Sequence, residues 1–193
     1  EFSVPQNRTR LIYIGIKKEF SLKQNITPKT IIENINKEIN KQPKYVLKDA
    51  LFKIKNLECA KIKNITEEDC ELSGKKIDIN IFKDLGNDYL KLINENKTFE
   101  FIFNHKARYQ NEINQKIYAT LKQGKDSTCE SIKDIMPYSH RNHLFKDKYF
   151  KLVENLPSKT ITAHMKMDCH SHIHPTQVRS ITPRESARIQ SFP

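Results

Sequence analysis

Glycine is scarce in this chain. The four glycines, at positions 15, 74, 86 and 124, form no G-x-G loop, so the sequence carries no glycine-rich turn of the kind that cradles a nucleotide's phosphates. Cysteine is as sparse: Cys59, Cys70, Cys129 and Cys169 lie far apart without C-x-x-C spacing, a pattern that suits reduced thiols in a cytoplasm. No apolar run approaches about 18 residues and no signal-peptide pattern occurs, so neither a membrane span nor secretion is supported. Acidic residues are outnumbered, 23 against 34 basic ones. The net charge of +11 implies a polyanionic partner or an anionic surface. Only 37% of the residues are apolar, below the globular norm. The 193 residues can nonetheless bury a core, as one domain or a domain with an appendage.

What is present is concentrated at the two ends. Arg179 to Pro193 reads R-S-I-T-P-R-E-S-A-R-I-Q-S-F-P, and Val4 to Ile16 reads V-P-Q-N-R-T-R-L-I-Y-I-G-I. Thr182-Pro183-Arg184-Glu185 is a helix start: a Thr N-cap, a Pro at the first helical position and a Glu that reaches back to the cap's N–H. Ala187, Ile189 and Phe192 then offer an apolar side, leaving Arg184, Arg188 and Gln190 as the polar side of what spacing alone reads as a capped surface helix. At the other end, Leu11 to Ile16 alternates and is rich in β-formers, which predicts a buried strand. Gln6, Arg8 and Arg10 precede it, two apart and on one face of an extended chain. Two guanidiniums and an amide make a donor array suited to a phosphate or a base carbonyl oxygen. Paired arginines at a solvated strand start account for the same spacing.

Between the ends, Thr27-Pro28 followed by Ile31, Ile32, Ile35 and Ile39 predicts a capped amphipathic helix that Pro43 stops. A second helical stripe, Leu47, Leu51 and Ile54, runs through Val46 to Leu57. Strands are expected at Ile77 to Phe82 and at Phe99 to Phe103. Tyr109, Ile113, Ile117 and Leu121 then predict a helix ended by Gly124. A solvated basic face explains the lysines of this segment equally, but His105 and Arg108 are placed at the helix entrance, where free N–H groups favour a phosphate. Residues 138 to 151 interleave cations with rings: Tyr138, His140, Arg141, His143, Phe145, Lys146, Lys148, Tyr149 and Lys151. That mixture suits a nucleic-acid surface or ordinary amphipathic packing. Ser158 to His164 alternates like a strand, with the hydroxyls of Thr160 and Thr162 on one face, available to a groove or simply favouring β structure. Asp168, Cys169, His170, His172 and His174 are the one local metal-capable cluster. A second ligand pair for a structural zinc is missing, and a zinc-stabilised interaction domain is the least favoured alternative.

The two end strings resemble, in order, blocks of the DNA (cytosine-5) methyltransferases, with a variable stretch between them where that family keeps its target-recognition region. The D-A-L segment after residue 46, N-H-x-A-R at 104–108, L-K-Q-G at 121–124, T-I-T-A-H at 160–164 and the His170 and His174-Pro175 pattern are similar to family segments too. The resemblance implies an α+β fold: a small recognition domain with an irregular sheet and a few helices, flanked by a strand and a helix of a catalytic-domain scaffold. Residues 1–57 would end that scaffold, 58–178 would form the recognition region, and 179–193 would return as a scaffold helix in which Thr182, Arg184, Glu185 and Arg188 are structural. Arg10 would contact a flipped cytosine, with Arg8 and Gln6 bracing the active-site loop and the DNA backbone. His105, Arg108, Arg141, Lys146, Lys148, Thr160, Thr162 and His164 are the expected DNA contacts. His170 and His174 would serve a loop's structure without metal.

Cytosine C5 methylation needs a thiolate to attack C6, an acid near N3 and a bound methyl donor. In the family these come from a Pro-Cys loop, a Glu-Asn-Val strand and a Gly-rich cofactor loop, none of which occurs here. The expectation is a C-terminal part of a bacterial, cytoplasmic, restriction-modification enzyme. Its partners would be duplex DNA and an N-terminal catalytic half, and no membrane. S-adenosylmethionine would serve the parent enzyme without being bound by these residues, which alone would bind DNA weakly and transfer nothing. A stand-alone DNA-binding or complementing subunit fits the same residues.

Overall fold

In a computed structural model, residues 3–63, 68–82, 86–137, 148–163 and 169–193 are described. The chain forms α1 (Lys18–Gln24), α2 (Pro28–Lys41), α3 (Leu47–Ala50), β1 (Gly74–Ile79), α4 (Asp88–Ile93), β2 (Phe101–Lys106), α5 (Glu112–Thr120) and α6 (Pro183–Ile189). Helices and a two-stranded antiparallel sheet make a mixed α+β architecture.

Local signals set the helix starts. In α2 the Thr27 hydroxyl accepts from the Thr30 N–H at 3.1 Å, Thr30 Oγ1 accepts from the Thr27 N–H at 2.9 Å, and Pro28 takes the first turn. Its isoleucine stripe forms as the sequence predicts, yet α2 buries none of its residues, and Ile32 stays 58% exposed. The expected strand at Leu11 to Ile16 does not form. These residues have no ladder partner and lie open, Leu11 at 78% and Tyr13 at 87% exposure. A strand needs a neighbour for its N–H and C=O groups, and among the described residues the named strands pair only with each other.

The core lies elsewhere. One cluster joins Leu47 and Ala50 of α3, Tyr89, Leu90 and Ile93 of α4, Ile189 of α6, and Leu152 and Ile181. The other gathers Ile117, Tyr118 and Leu121 around Ile132, Met136, Tyr149 and Ile173. The helical stripe expected across Val46 to Leu57 lasts one turn. Lys53 takes a left-handed φ of 46°, the Phe52 carbonyl accepts from Arg188 Nη1 at 3.1 Å, and the Lys55 carbonyl meets His105 Nε2 at 2.7 Å. Distant side chains thus hold carbonyls that a continuing helix would have used.

Both expected strands exist but are shifted, β1 ending at Ile79 and β2 reaching Lys106, with Ile77 opposite Phe103 and Ile79 opposite Phe101. Gly74 is obligatory where the chain turns into β1: its φ is +92°, and a Cβ there would lie 2.1 Å from the His105 carbonyl oxygen. α5 begins later than expected, capped by Asn111, whose side chain accepts from the Asn114 N–H at 2.8 Å, and it ends before Gly124. Ser158 to His164 forms no strand over its described part, only one bridge from Ser158 to Gln6.

Candidate nucleic-acid interface

The capping box at α6 forms as the sequence dictates. Glu185 Oε2 accepts from the Thr182 N–H at 2.7 Å, and Thr182 Oγ1 accepts from the Glu185 N–H at 3.1 Å. The helix is not a surface helix, however. Glu185 is completely buried and Arg188 is 6% exposed, which corrects the expected polar side. The reason is Arg179, also completely buried, whose guanidinium donates to both carboxylate oxygens of Glu185 at 2.8 and 2.7 Å. Its Nε donates to Gln177 Oε1 at 2.8 Å, and that same oxygen accepts from the Leu57 N–H at 2.9 Å. Burial pushes the Glu185 carboxyl upward, but the Arg179 charge and its hydrogen bonds outweigh it and hold the group down to about 2. His174 Nε2 lies 3.7 Å from Glu185 Oε1, while its Nδ1 accepts from the Thr176 and Gln177 N–H groups at 3.2 and 3.1 Å. Burial lowers its pKa to about 4. Sequence reasoning passed over Arg179. The signal was an arginine just before a Thr-capped Glu box, whose carboxylate needs a cation once buried.

This hub corrects one expected DNA contact. His105 sits inside β2, not at a helix entrance, and is 3% exposed. Its ring nitrogens face Thr182 Oγ1 at 3.1 Å and the Lys55 carbonyl at 2.7 Å, and burial lowers its pKa. The helix that was to polarise it starts at Glu112. Arg108 stays half-exposed, but it too precedes that helix.

Two of the sequence-predicted segments come together. Asn7 N–H donates to the Ser158 carbonyl and Ser158 N–H to the Pro5 carbonyl, each at 2.8 Å, while Thr160 Oγ1 donates to the Asn7 carbonyl at 2.6 Å. Pro5 to Asn7, just before Arg8 and Arg10, are thereby laid beside 158–160. Arg8 and Arg10 are exposed, with Arg10 Nη1 donating to the neighbouring Thr9 carbonyl at 2.8 Å. Gln6 is half-buried, its Nε2 unpartnered. His172 braces the arrangement from below, Nε2 meeting the Thr160 carbonyl at 3.2 Å. Next to it, Thr162 and Arg108 share the rim of a groove of about 310 Å³ floored by Ile161, Ile181, Pro183 and Ala187. Lys148 is exposed. Arg141, Lys146 and His164 lie outside the described residues. Tyr149, from the basic aromatic stretch, is buried: it stacks on His170 at 4.5 Å between ring centroids and its hydroxyl donates to Asn114 Oδ1 at 2.9 Å.

Among the described residues no group of three His, Cys, Asp or Glu side chains is placed to hold a metal ion. His170, His172 and His174 are each engaged by protein partners. The Cys59 thiol donates to the Val178 carbonyl at 2.9 Å, and burial pushes its pKa up to about 11, so it is no ready nucleophile. Among the described residues no helix is long and apolar enough to cross a membrane.

The profile of the C-5 cytosine-specific DNA methylases matches residues 1–193, and the chain belongs to that family. Among curated relatives, the Oceanobacillus iheyensis protein M.OihORF3336P, named as a type II methyltransferase, is 46% identical over 59 residues, 31% of this chain and 12% of its own length. The type II methyltransferase M.AgeI of Thalassovita gelatinovora is 47% identical over 49 residues, 25% of this chain and 11% of its own. M.Bpa9945I of Bacillus paralicheniformis is 32% identical over 96 residues, 47% of this chain and 22% of its own. A prophage-encoded DNA modification methyltransferase structure from E. coli superposes with a TM-score of 0.50 at 19% identity, covering 79% of this chain and 38% of that one. The chain thus spans well under half the length of the relatives it matches.

The family's cofactor is S-adenosylmethionine. The residues of the large groove do not fit it: the lining offers the Arg108 cation and no carboxylate for the donor's ribose hydroxyls or ammonium group. The described residues contain no glycine loop that would let backbone approach it.

Proposed function

We propose that this chain is the target-recognition part of a DNA (cytosine-5) methyltransferase of a restriction-modification system. The whole protein would move a methyl group from S-adenosylmethionine to a cytosine flipped out of duplex DNA. The observation that carries this reading is the laying of Pro5 to Asn7, which lead into Arg8 and Arg10, against 158–160, beside the groove shared by Thr162 and Arg108. Flipping a base costs on the order of a few kcal/mol that protein contacts must offset, and an exposed pair of arginines following an anchored segment supplies such contacts. In this reading Arg10 meets the flipped cytosine, and Arg8 and Gln6 brace the DNA backbone and the active-site loop. Arg108, Thr162 and Lys148 face the duplex, and Arg141, Lys146 and His164 are proposed from the sequence as further DNA contacts. Thr160 acts through the backbone it holds, and His105 leaves the set because it is buried. The partners are duplex DNA and a catalytic half, in the cytoplasm.

The test is selection of the purified chain against a random duplex pool at two salt concentrations. We expect enrichment of a short cytosine-containing site, weakened in Arg10→Gln. Uniform binding that collapses with salt, as phosphate contacts alone dictate, would remove sequence recognition from this chain. Mixing with a catalytic half and assaying methylation then separates a part of an enzyme from an independent binding module.

A further inference from the structure

α6 has a second set of polar groups that the hub does not use. Arg184 and Arg188, one turn apart on the same side of the helix, line a small pocket together with Lys53, Asn80, Asn94 and Thr98. Arg184 Nη1 donates to the Pro193 carbonyl at 2.6 Å and Arg188 Nη1 to the Phe52 carbonyl at 3.1 Å. The nearest carboxylate on the helix, Glu185, is held on both oxygens by Arg179.

Unmet polar atoms concentrate here. Five buried side-chain atoms among the described residues lack a hydrogen-bond partner, and three of them, the donors Arg184 Nε and Arg188 Nε and the acceptor Asn94 Oδ1, belong to residues lining this one pocket. Arg188 and Asn94 are each only 6% exposed. Leaving a buried donor unpaired is costly, and more so when it is charged. Each guanidinium also raises the cost of the other, and burial together with the Arg184 charge brings the Arg188 pKa down to about 10. Water would satisfy the hydrogen bonds but not the charge. A carbonyl would do no better. An oxyanion does both, and the guanidinium fork matches tetrahedral oxygens two at a time.

Size narrows the choice. The pocket holds about 30 Å³, room for two or three waters by the usual measure of about 10–15 Å³ each. That admits the oxygens of one small oxyanion and excludes a base or a sugar. We infer that this pocket binds a phosphate group, with Arg184 and Arg188 taking its oxygens and Lys53 adding a third positive charge. The group is either a backbone phosphate of DNA or free phosphate. Only the DNA source rests on the function proposed above.

Thermal unfolding of the purified chain in potassium phosphate against potassium chloride at equal ionic strength tests the site. Phosphate should raise the Tm of the wild type by a few degrees, an effect lost in Arg184→Gln, whose side chain is only half-buried. Lys53→Gln, off the helix, is a second variant and should lose part of the effect. The slope of log binding constant against log salt for duplex DNA then identifies the source. A slope shallower by about one in Arg184→Gln assigns the phosphate to the DNA backbone. An unchanged slope alongside a lost phosphate effect assigns it to free phosphate, whatever the duplex selection finds. The inference is overturned if phosphate leaves the wild-type Tm unmoved, or moves the variants equally. Stabilisation by acetate instead would point to a protein carboxylate.

Discussion

Arg179 and Glu185 form a buried ion pair at the start of α6. Both are fully buried and joined by two charged hydrogen bonds. Desolvation roughly cancels their attraction, so the intact pair adds little net stability, but a lone survivor would be an uncompensated buried charge. We expect Glu185→Gln or Arg179→Met to cost about 3–5 kcal/mol in urea unfolding, and the double variant Arg179→Met with Glu185→Leu to cost less than the sum. Additive losses would mean that the two act independently. His174 beside them makes stability pH-dependent. Its folded pKa of about 4 lies below the ordinary 6.5, so the unfolded chain binds the proton more readily. Its contribution is therefore complete above about pH 6.5 and is lost as the pH falls toward 4, amounting to about 3 kcal/mol. Burial shifts His105 and His172 the same way. Glu185, at about 2 against an ordinary 4.5, contributes above pH 4.5 and is lost below it. Stability measured from pH 8 to 3 should fall from about pH 6.5 downward, and His174→Gln should flatten the upper part of that decline. A decline beginning only below pH 4.5 in the wild type would refute the role given to His174.

At the scale of elements, α2 and α3 are opposites. α2 is long, well capped and buries nothing, whereas α3 is one turn whose Leu47 and Ala50 are completely buried. Packing, not propensity, supplies most helical stability in proteins. Leu47→Ala should therefore cost roughly 2–5 kcal/mol, while Ile32→Ser on α2 should change global stability by less than about 0.5 kcal/mol. Denaturant midpoints of the two variants compare them directly, and a large loss from Ile32→Ser would mean that α2 is covered in solution. The same contrast explains what was legible in the sequence. Thr27 and Thr182 announced their helices because a cap and its partner sit three residues apart, and that information is local. Leu11 to Ile16 announced a strand that has nothing to pair with here. His105 was misplaced because β2 runs on to Lys106 through Asn104, a non-glycine residue at φ 58°, a continuation that periodicity does not mark. The stripe at Leu47, Leu51 and Ile54 was cut short by Arg188 and His105, which reach it from far along the chain. Arg179 escaped notice because its partner's burial is a property of the assembled core.

At the scale of the whole molecule, the exposed apolar residues are unevenly distributed. Leu11, Ile12, Tyr13, Ile14, Phe20, Leu22, Ile32 and Ile35 all lie open within one stretch of the chain, whereas the residues from 169 to 189 place Ile181 and Ile189 in one core and Ile173 in the other. A stretch with strand-forming and helix-forming patterns but no buried face is built to be completed by other surface. On the proposed function that surface belongs to the catalytic half, whose sheet would give Leu11 to Ile16 the neighbour it lacks. Laid down there, Arg8 and Arg10 would be carried to the reacting base by the same strand that anchors them. The expected outcome is measurable by hydrogen exchange. In the isolated chain the amides of residues 11–39 should exchange rapidly, apart from those bonded within α1 and α2, while those of α5 and α6 are protected. Mixed with a catalytic half under conditions that restore methylation, 11–16 should gain protection together with α2. If methylation returned while 11–16 went on exchanging at the free rate, the arginines would have to reach the base from an unanchored segment, and the joint would lie elsewhere in the chain.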